Sequence, residues 1–206
     1  MIKIKSVEVL VYRYPLKTIV QTSFGTMHDR PMVLVKLIDE DDYVGVGEVW
    51  CNFPAVGAEH RARLIDSVFT PLLTMEPFDS PASAFELLTR KTWVLGLQTG
   101  EFGPIAQCIA GIDIAFHDLM ARRDETPLWK YLGGVSDSVE TYASGINPTD
   151  AEKTAEAALK SGYRALKLKI GFNPEHDIQN IKSLRTLLGE NGCLLYTSPS
   201  PRDPIG

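Results

Sequence analysis

The chain has 206 residues, with 21 Lys+Arg against 26 Asp+Glu and a formal net charge of -5. That balance gives no electrostatic reason to expect nucleic acid or an anionic membrane as partner, and a hydrophobic share of 44% with 23% charged residues excludes a disordered composition. No apolar run reaches the roughly 20 residues of a bilayer span, and three widely spaced cysteines (Cys51, Cys108, Cys193) read as reduced thiols of a cytoplasmic protein, not a disulfide frame or a zinc site.

Residues 2–14 alternate, with Ile2, Ile4, Val7, Val9 and Val11 among charged and polar neighbours. PMVLVKLIDE (31–40) and YVGVGEVW (43–50) follow across an acidic turn, which predicts an antiparallel meander. Between the first two strands, TSFGTMHDRP (22–31) lacks a period and carries Gly and Pro, so a loop is predicted there. From Ala58 the period lengthens. Helices are predicted over 58–74, 82–95 and 104–123, the last with Ile105, Ile109, Ile112, Phe116 and Leu119 recurring at three and four. PLWKYLGG (127–134) is a short turn, with Gly133 and Gly134 as a helix stop. Glu48 reads as a structural hydrogen-bond acceptor, His60 with Arg61 and Arg63 as a solvated face, and His117-Asp118 as a helix-surface or interdomain hydrogen bond.

After Gly134 the pattern changes. SVETYASG (138–145) reads as a strand. Thr149 to Glu152 forms a capping box that opens a helix with Ala155, Ala158 and Leu159 on one face and Gly162 as its stop. RALKLKI (164–170) is a strand. Asn173-Pro174 then starts a helix carrying Ile178, Ile181, Leu184 and Leu188, ended by Gly189, with His176 and Asp177 in its first turn, where Asp favours the macrodipole. Strand–helix–strand–helix with short loops begins a parallel α/β layer. A (β/α) barrel takes about 250 residues, and two parallel strands make a poor sheet alone. The chain is therefore either a small α+β protein or the front of something larger. Residues 193–203, CLLYTSPSPRD, show neither helical nor strand period and resemble the translation of a transposase-type sequencing adaptor, with an ordinary Pro/Ser tail as the alternative. Residues 193–206 are kept out of the predicted fold, which ends at about Gly192, where a third strand should start.

Lys167 and Lys169 lie at i and i+2 of the predicted strand 164–170, so they share one face while Leu166, Leu168 and Ile170 share the other. In a barrel the apolar set suits the helix side, and the lysines then point inward near the strand's C-terminal end, where barrel enzymes keep their active sites. Two ammonium groups about 7 Å apart repel by about 2.4 kcal/mol at an effective dielectric of 20, which disfavours two charges at once. An uncharged lysine can act as a general base while its neighbour stays a cation for an anionic substrate. The plain alternative is a wet strand face whose lysines deter edge pairing.

The meander, AGIDIAFHDLMARRDETPLWKYLGG (110–134), GYRALKLKIGF (162–172) and GVGEVW (45–50) together resemble the mandelate racemase/muconate lactonizing branch of the enolase superfamily over residues 1–192. The resemblance implies an α+β capping domain at 1–134 (antiparallel meander plus helices), followed by the first two βα units of a truncated (β/α) TIM-like barrel at 135–192. It implies that Lys169 removes the proton next to a substrate carboxylate, while Lys167 helps hold that carboxylate. Sites of this superfamily pair a Lys or His base with one or two Mg²⁺, since a divalent cation offsets the charge that develops on the enediolate. The ligands are implied to be carboxylates ending the third to fifth barrel strands. Mg²⁺ thus belongs to the full-length parent, and no metal ligand is assigned in this chain.

Two capping-domain loops are implied to close over the substrate and set specificity. They match 22–30, with Phe24, Thr26, Met27 and His28, and 50–57, with Trp50, Asn52 and Phe53; plain loop anchoring is the alternative for each residue. Ser144, at the end of the first barrel strand, is expected to face the same cavity. The implied activity is abstraction of the α-proton of a small sugar-acid carboxylate, with dehydration as the outcome. Racemisation, epimerisation and cycloisomerisation share the same first step. The resemblance also implies a homo-oligomer at full length and an inactive 206-residue chain. The rival of another class is a complete, non-enzymatic α+β binding or oligomerisation module, which would bury the apolar faces of its last two helices where a fragment would expose them.

Overall fold

The alternation at the N-terminus folds as a three-stranded antiparallel sheet in the order β1-β2-β3 (β1, Ile4–Thr22; β2, Gly25–Asp39; β3, Val44–Val49). The computed structural model describes residues 1–22, 25–54 and 56–197, in two units, Met1–Val135 and Ser136–Gly206. Val33, Val35 and Leu37 of β2 and Val49 of β3 are fully buried on one face. The predicted loop at 22–31 is corrected: residues 25–31 continue β2, with Val20 paired to Met27 and Thr22 to Gly25. Residues 16–19 bulge opposite His28 alone, which leaves the pairing intact on either side. The strand's partner comes from elsewhere in the chain, so no local period is needed to hold it.

Among the described residues, five helices follow. The stretch predicted as one helix at 58–74 is α1 (Gly57–Leu64), a π-helical turn at Ile65–Phe69, and α2 (Thr70–Met75). Next come α3 (Pro81–Thr99), α4 (Phe102–Arg123) and the short α5 (Leu128–Tyr131). Ser80 and Ser83 cap α3 reciprocally, and Gly100 ends it at φ 72°. The α4 face with Ile105, Cys108, Ile109, Ile112, Phe116 and Leu119 is buried in the core with Val33, Val35, Leu37 and Val49. Phe116 meets Phe78 edge-on at 5.4 Å.

The approach of α4 to β3 is close enough to require glycine. A Cβ on Gly47 would stand 2.0 Å from the Gly111 carbonyl oxygen, and one on Gly45 2.1 Å from that of Ala115. Asp118 Oδ2 accepts the Val46 N–H at 2.8 Å, so this carboxylate ties helix to sheet. Arg123 donates to Asp39, 1% exposed, at 2.9 Å and to Asp41 at 3.2 Å. Glu48 is exposed. One expectation is corrected here. Arg61 is buried, because its guanidinium donates to Gln107 Oε1 at 2.6 and 2.9 Å and to the Gly57 carbonyl at 3.0 Å, joining α1 to α4.

The second unit runs β4 (Ala143–Ile146), α6 (Ala151–Lys160), β5 (Ala165–Lys169), α7 (Pro174–Leu188) and β6 (Cys193–Thr197), with a parallel sheet in the order β4-β5-β6. Its core is Ile146, Ala151, Ala155, Leu166, Leu168, Leu184 and Leu194. Four sequence expectations change. Residues 138–142 lie outside the strand, since Ala143 already pairs with Leu166 near the start of β5. Thr149 does not cap α6. Asp150, at φ 57°, is the N-cap, which moves Glu152 to the second helical position and off the capping-box spacing. Residues 193–197, read as lacking strand period, pair with all of β5. Ile178, placed on the apolar face of its helix, is 53% exposed.

Two outcomes are expected. Gly47→Ala should cost the first unit about 3 kcal/mol, the upper end of overpacking effects, read from urea unfolding by the fluorescence of Trp50, Trp93 and Trp129, which all lie in that unit. Burial pushes the Cys51 thiol up, and that of Cys108 up to about 12, while Cys193 is exposed. A thiol-disulfide reagent at pH 8 should therefore titrate one thiol rapidly and the other two only on unfolding.

Candidate functional site

The sequence ALKLK gives β5 two unlike faces. Leu166 and Leu168 are fully buried in the core shared with α6 and α7. Lys167 and Lys169, half-buried, take the opposite face, and pair in the ladder with Leu195 and Thr197 of β6. The Lys167 ammonium sits 5.8 Å from the ring centroid of Tyr142, a cation–π contact that no sequence signal announced. Ser144 lies within β4 and not at its end. Ala143 pairs with Leu166 and Ile146 with Leu168, so Ser144 and Gly145 together stand opposite Lys167. Ser144 is exposed there, and Gly145 absorbs the irregularity at φ 87°.

Beyond Lys169 the chain turns through Ile170, Gly171 (φ 100°) and the exposed Phe172 into α7. Asn173 Oδ1 accepts the His176 N–H at 3.0 Å and caps that helix. Asp177, 7% exposed, accepts the Gly171 N–H at 2.8 Å and the Phe172 N–H at 3.2 Å, both on Oδ2. The sequence assigned Asp177 only to the helix dipole. Its spacing from the Gly-Phe-Asn-Pro turn is the signal that could have found it.

In the first unit, a cleft of about 220 Å³ is lined by Thr26, Met27, His28, Asp29, Pro31, Asn52 and Phe53. The fold thus brings together the two stretches that the sequence singled out. Thr26 and His28 are exposed, Asn52 and Phe53 half-buried, and Met27 is 6% exposed. Trp50, 49% exposed, is not part of the lining, and Phe24 lies outside the described residues. Arg13 braces the cleft from β1. It donates to Asp29 at 2.9 Å and bidentately to Glu59 at 3.0 and 2.6 Å. Its hydrogen bonds hold the Glu59 carboxyl below the ordinary carboxylate range and raise the guanidinium's own pKa. The sequence signalled neither Arg13 nor Glu59, because a bridge across 46 residues leaves no local pattern.

A larger opening of about 590 Å³ lies at the N-terminal ends of β5 and β6, beside Tyr163, Arg164, Asn191 and Cys193, at the other end of the strand from Lys169. Among the described residues, no group of three or more His, Cys, Asp or Glu side chains is placed to hold a metal ion. β6, CLLYT, contributes no carboxylate. No described helix is long and apolar enough to cross a membrane.

A family model of the mandelate racemase / muconate lactonizing enzyme N-terminal domain matches residues 1–133. The 3,6-anhydro-alpha-L-galactonate cycloisomerase of Streptomyces coelicolor is 30% identical over 198 residues, covering 93% of this chain and 53% of that protein. The N-succinylamino acid racemase of Thermus thermophilus is 32% identical over 195 residues, covering 91% and 49%. An arabinonate dehydratase of Saccharolobus solfataricus, at 30% identity, is a further relative. A solved mandelate racemase/muconate lactonizing enzyme from Bordetella bronchiseptica RB50 superposes with a TM-score of 0.87 at 50% identity, covering 96% of this chain and 51% of that one. A Streptomyces coelicolor racemase solved with bound magnesium has a TM-score of 0.81 at 27% identity. The chain spans about half the length of the curated relatives it matches.

The Arg13–Glu59 bridge has a pH signature. Because Glu59 is held below its ordinary value when folded, the stabilisation is fully present above the unfolded carboxyl's pKa of about 4.3 and fades as pH falls through the lower folded value. The Glu59 side chain is 45% exposed, and solvent screening limits the bridge to less than about 1 kcal/mol. Glu59→Gln should lower stability by that amount at pH 7, with the gap to the parent chain closing below about pH 4 in paired urea titrations.

Proposed function

Since this chain belongs to the mandelate racemase / muconate lactonizing enzyme family, we propose that the full-length protein abstracts the α-proton of a small carboxylate substrate and acts on a sugar acid as a dehydratase. The observation that carries this reading is the lysine face of β5: two lysine side chains share one face, while Leu166 and Leu168, which alternate with them, are sunk in the core.

In this reading Lys169 is the general base. Its Nζ takes the proton from the carbon next to the carboxylate, and the electron pair left behind moves into the carboxylate to form an enediolate. Lys167 keeps its charge, holds a carboxylate oxygen and offsets the second negative charge as it builds. Dehydration then requires loss of the neighbouring hydroxyl with a proton from a second group, which we do not assign within this chain. Thr26, His28 and Asn52 offer hydrogen-bond donors and acceptors of the kind a hydroxyl-rich acid needs, and Phe53 offers an apolar wall. Trp50, Phe24 and Ser144 remain substrate-contact candidates on the strength of the sequence resemblance.

Among the described residues, no group of three or more His, Cys, Asp or Glu side chains fits a magnesium site. Mg²⁺ in the full-length protein rests on relatives such as the racemase solved with bound magnesium. Racemisation, epimerisation or cycloisomerisation is the second reading, favoured by the cycloisomerase and the racemase among the relatives. A cytoplasmic, homo-oligomeric enzyme completes the proposal.

The test is solvent exchange. The full-length protein is incubated in deuterium oxide with a panel of sugar acids and N-acyl amino acids, and deuterium at the α-carbon is followed by NMR. Lys169→Met should slow the exchange at least about a hundredfold, the usual weight of a general base, while Lys167→Met should raise KM most. Wild-type exchange by Lys169→Met would sink the assignment.

A further inference from the structure

A carboxylate at 7% exposure is costly to bury unless its oxygens are bonded. Asp177 bears that cost with only half of its acceptors in use: Oδ2 takes two backbone N–H groups, while the buried Oδ1 has no protein partner. Capping α7 does not account for it, because Asn173 already caps that helix through the His176 N–H. What Asp177 adds is a tie to Gly171 and Phe172, the residues through which the chain leaves β5. Gly171 has no side chain to pack, and Phe172 is 69% exposed, so their side chains do little to order the turn. Lys169 is the last residue of β5, two positions before Gly171.

We infer that Asp177 is a positioning residue for Lys169: its carboxylate pins the turn after β5 and so fixes the direction in which the lysine leaves the end of the strand. The inference rests on the reading of Lys169 as the base and adds to it the group that holds that base in place. Held within a narrow range of directions, the amine meets a bound substrate without a further ordering cost, which is the physical basis of preorganisation.

The test uses the 206-residue chain and needs no turnover. Amide exchange is read by NMR at Gly171 and Phe172, and acylation of Lys169 by a water-soluble acetylating reagent is read by mass spectrometry against Lys182, an exposed lysine of α7. Asp177→Ala should speed exchange of the two amides at least tenfold and change the Lys169:Lys182 ratio at least twofold. Asp177→Asn, whose side-chain oxygen can accept the same two bonds, should restore both to within twofold of the parent. Faster amide exchange with an unchanged Lys169 ratio would show a loop cap and nothing more, and would overturn the inference. Asp177→Ser, too short to reach both amides, takes the place of the alanine variant if that chain does not fold. In the parent chain itself, Gly171 and Phe172 amides exchanging at the unstructured-chain rate overturn the clamp without any variant. Loss of the clamp and loss of proton exchange in the full-length protein are scored on different chains, so either can fail alone.

Discussion

Burying Leu166 and Leu168 under α6 and α7 commits Lys167 and Lys169 to the other face of β5, because successive side chains of a strand point to opposite sides. Each leucine gains about 1.5–3 kcal/mol on full burial. A slip of one residue would forfeit both gains and place two ammonium groups in the apolar core, at several kcal/mol each after relaxation. The orientation of the lysines is therefore fixed by the cost of the alternative and needs no bond of their own. The cation–π contact of Lys167 with Tyr142 refines the position of one side chain and is an order of magnitude smaller.

The first unit uses the same economy of cause at its centre. Gly45, Gly47 and Gly111 let α4 and β3 touch backbone to backbone. The carboxylate of Asp118 and the guanidinium of Arg123 then fasten one end, through Val46 and Asp39. Arg61 fastens α1 to α4 through Gln107. The cleft lined by Thr26, His28, Asn52 and Phe53 is carried on the start of β2 and the loop after β3, where Arg13 ties Asp29 to Glu59.

Patterns internal to one element were legible in the sequence. The meander, the long helix of Ile105 to Leu119, the Asn173-Pro174 start and the sidedness of ALKLK follow from periods of two and 3.6 and from capping chemistry. What the sequence hid depends on partners far along the chain. Residues 25–31 are strand because β1 supplies a ladder. Residues 193–197 are strand because β5 does, although CLLYT carries no alternating pattern. Arg61 reads as a member of a wet face, but its guanidinium donates to the side-chain oxygen of Gln107, 46 positions away. Thr149 failed as a cap because α6 begins after Asp150, a difference of one residue that alters every capping contact. Of the candidate site, the lysine pair and the two cleft stretches were visible as residue types in order. Arg13, Glu59 and Tyr142 were not, since each acts through a contact that no local pattern records, and Asp177 reads from the sequence only as a helix-dipole residue although its contacts are five and six positions away.

The relatives sharpen what the lysine face can mean. A cycloisomerase and a dehydratase are both 30% identical to this chain, and a racemase is 32% identical. The chain spans about half of each, and on the proposed reading the part it spans carries what the three reactions share. Proton removal beside a carboxylate is such a step, because the enediolate can afterwards be reprotonated, cyclised or stripped of a hydroxyl. The residues here suit that division. On the proposed reading the base and its lysine neighbour lie on β5, and among the described residues no group of three or more His, Cys, Asp or Glu side chains is placed to hold a metal ion. On the proposed reading, substitutions on the lysine face change whether reaction begins, and the choice among products lies with groups beyond the half of the relatives that this chain spans.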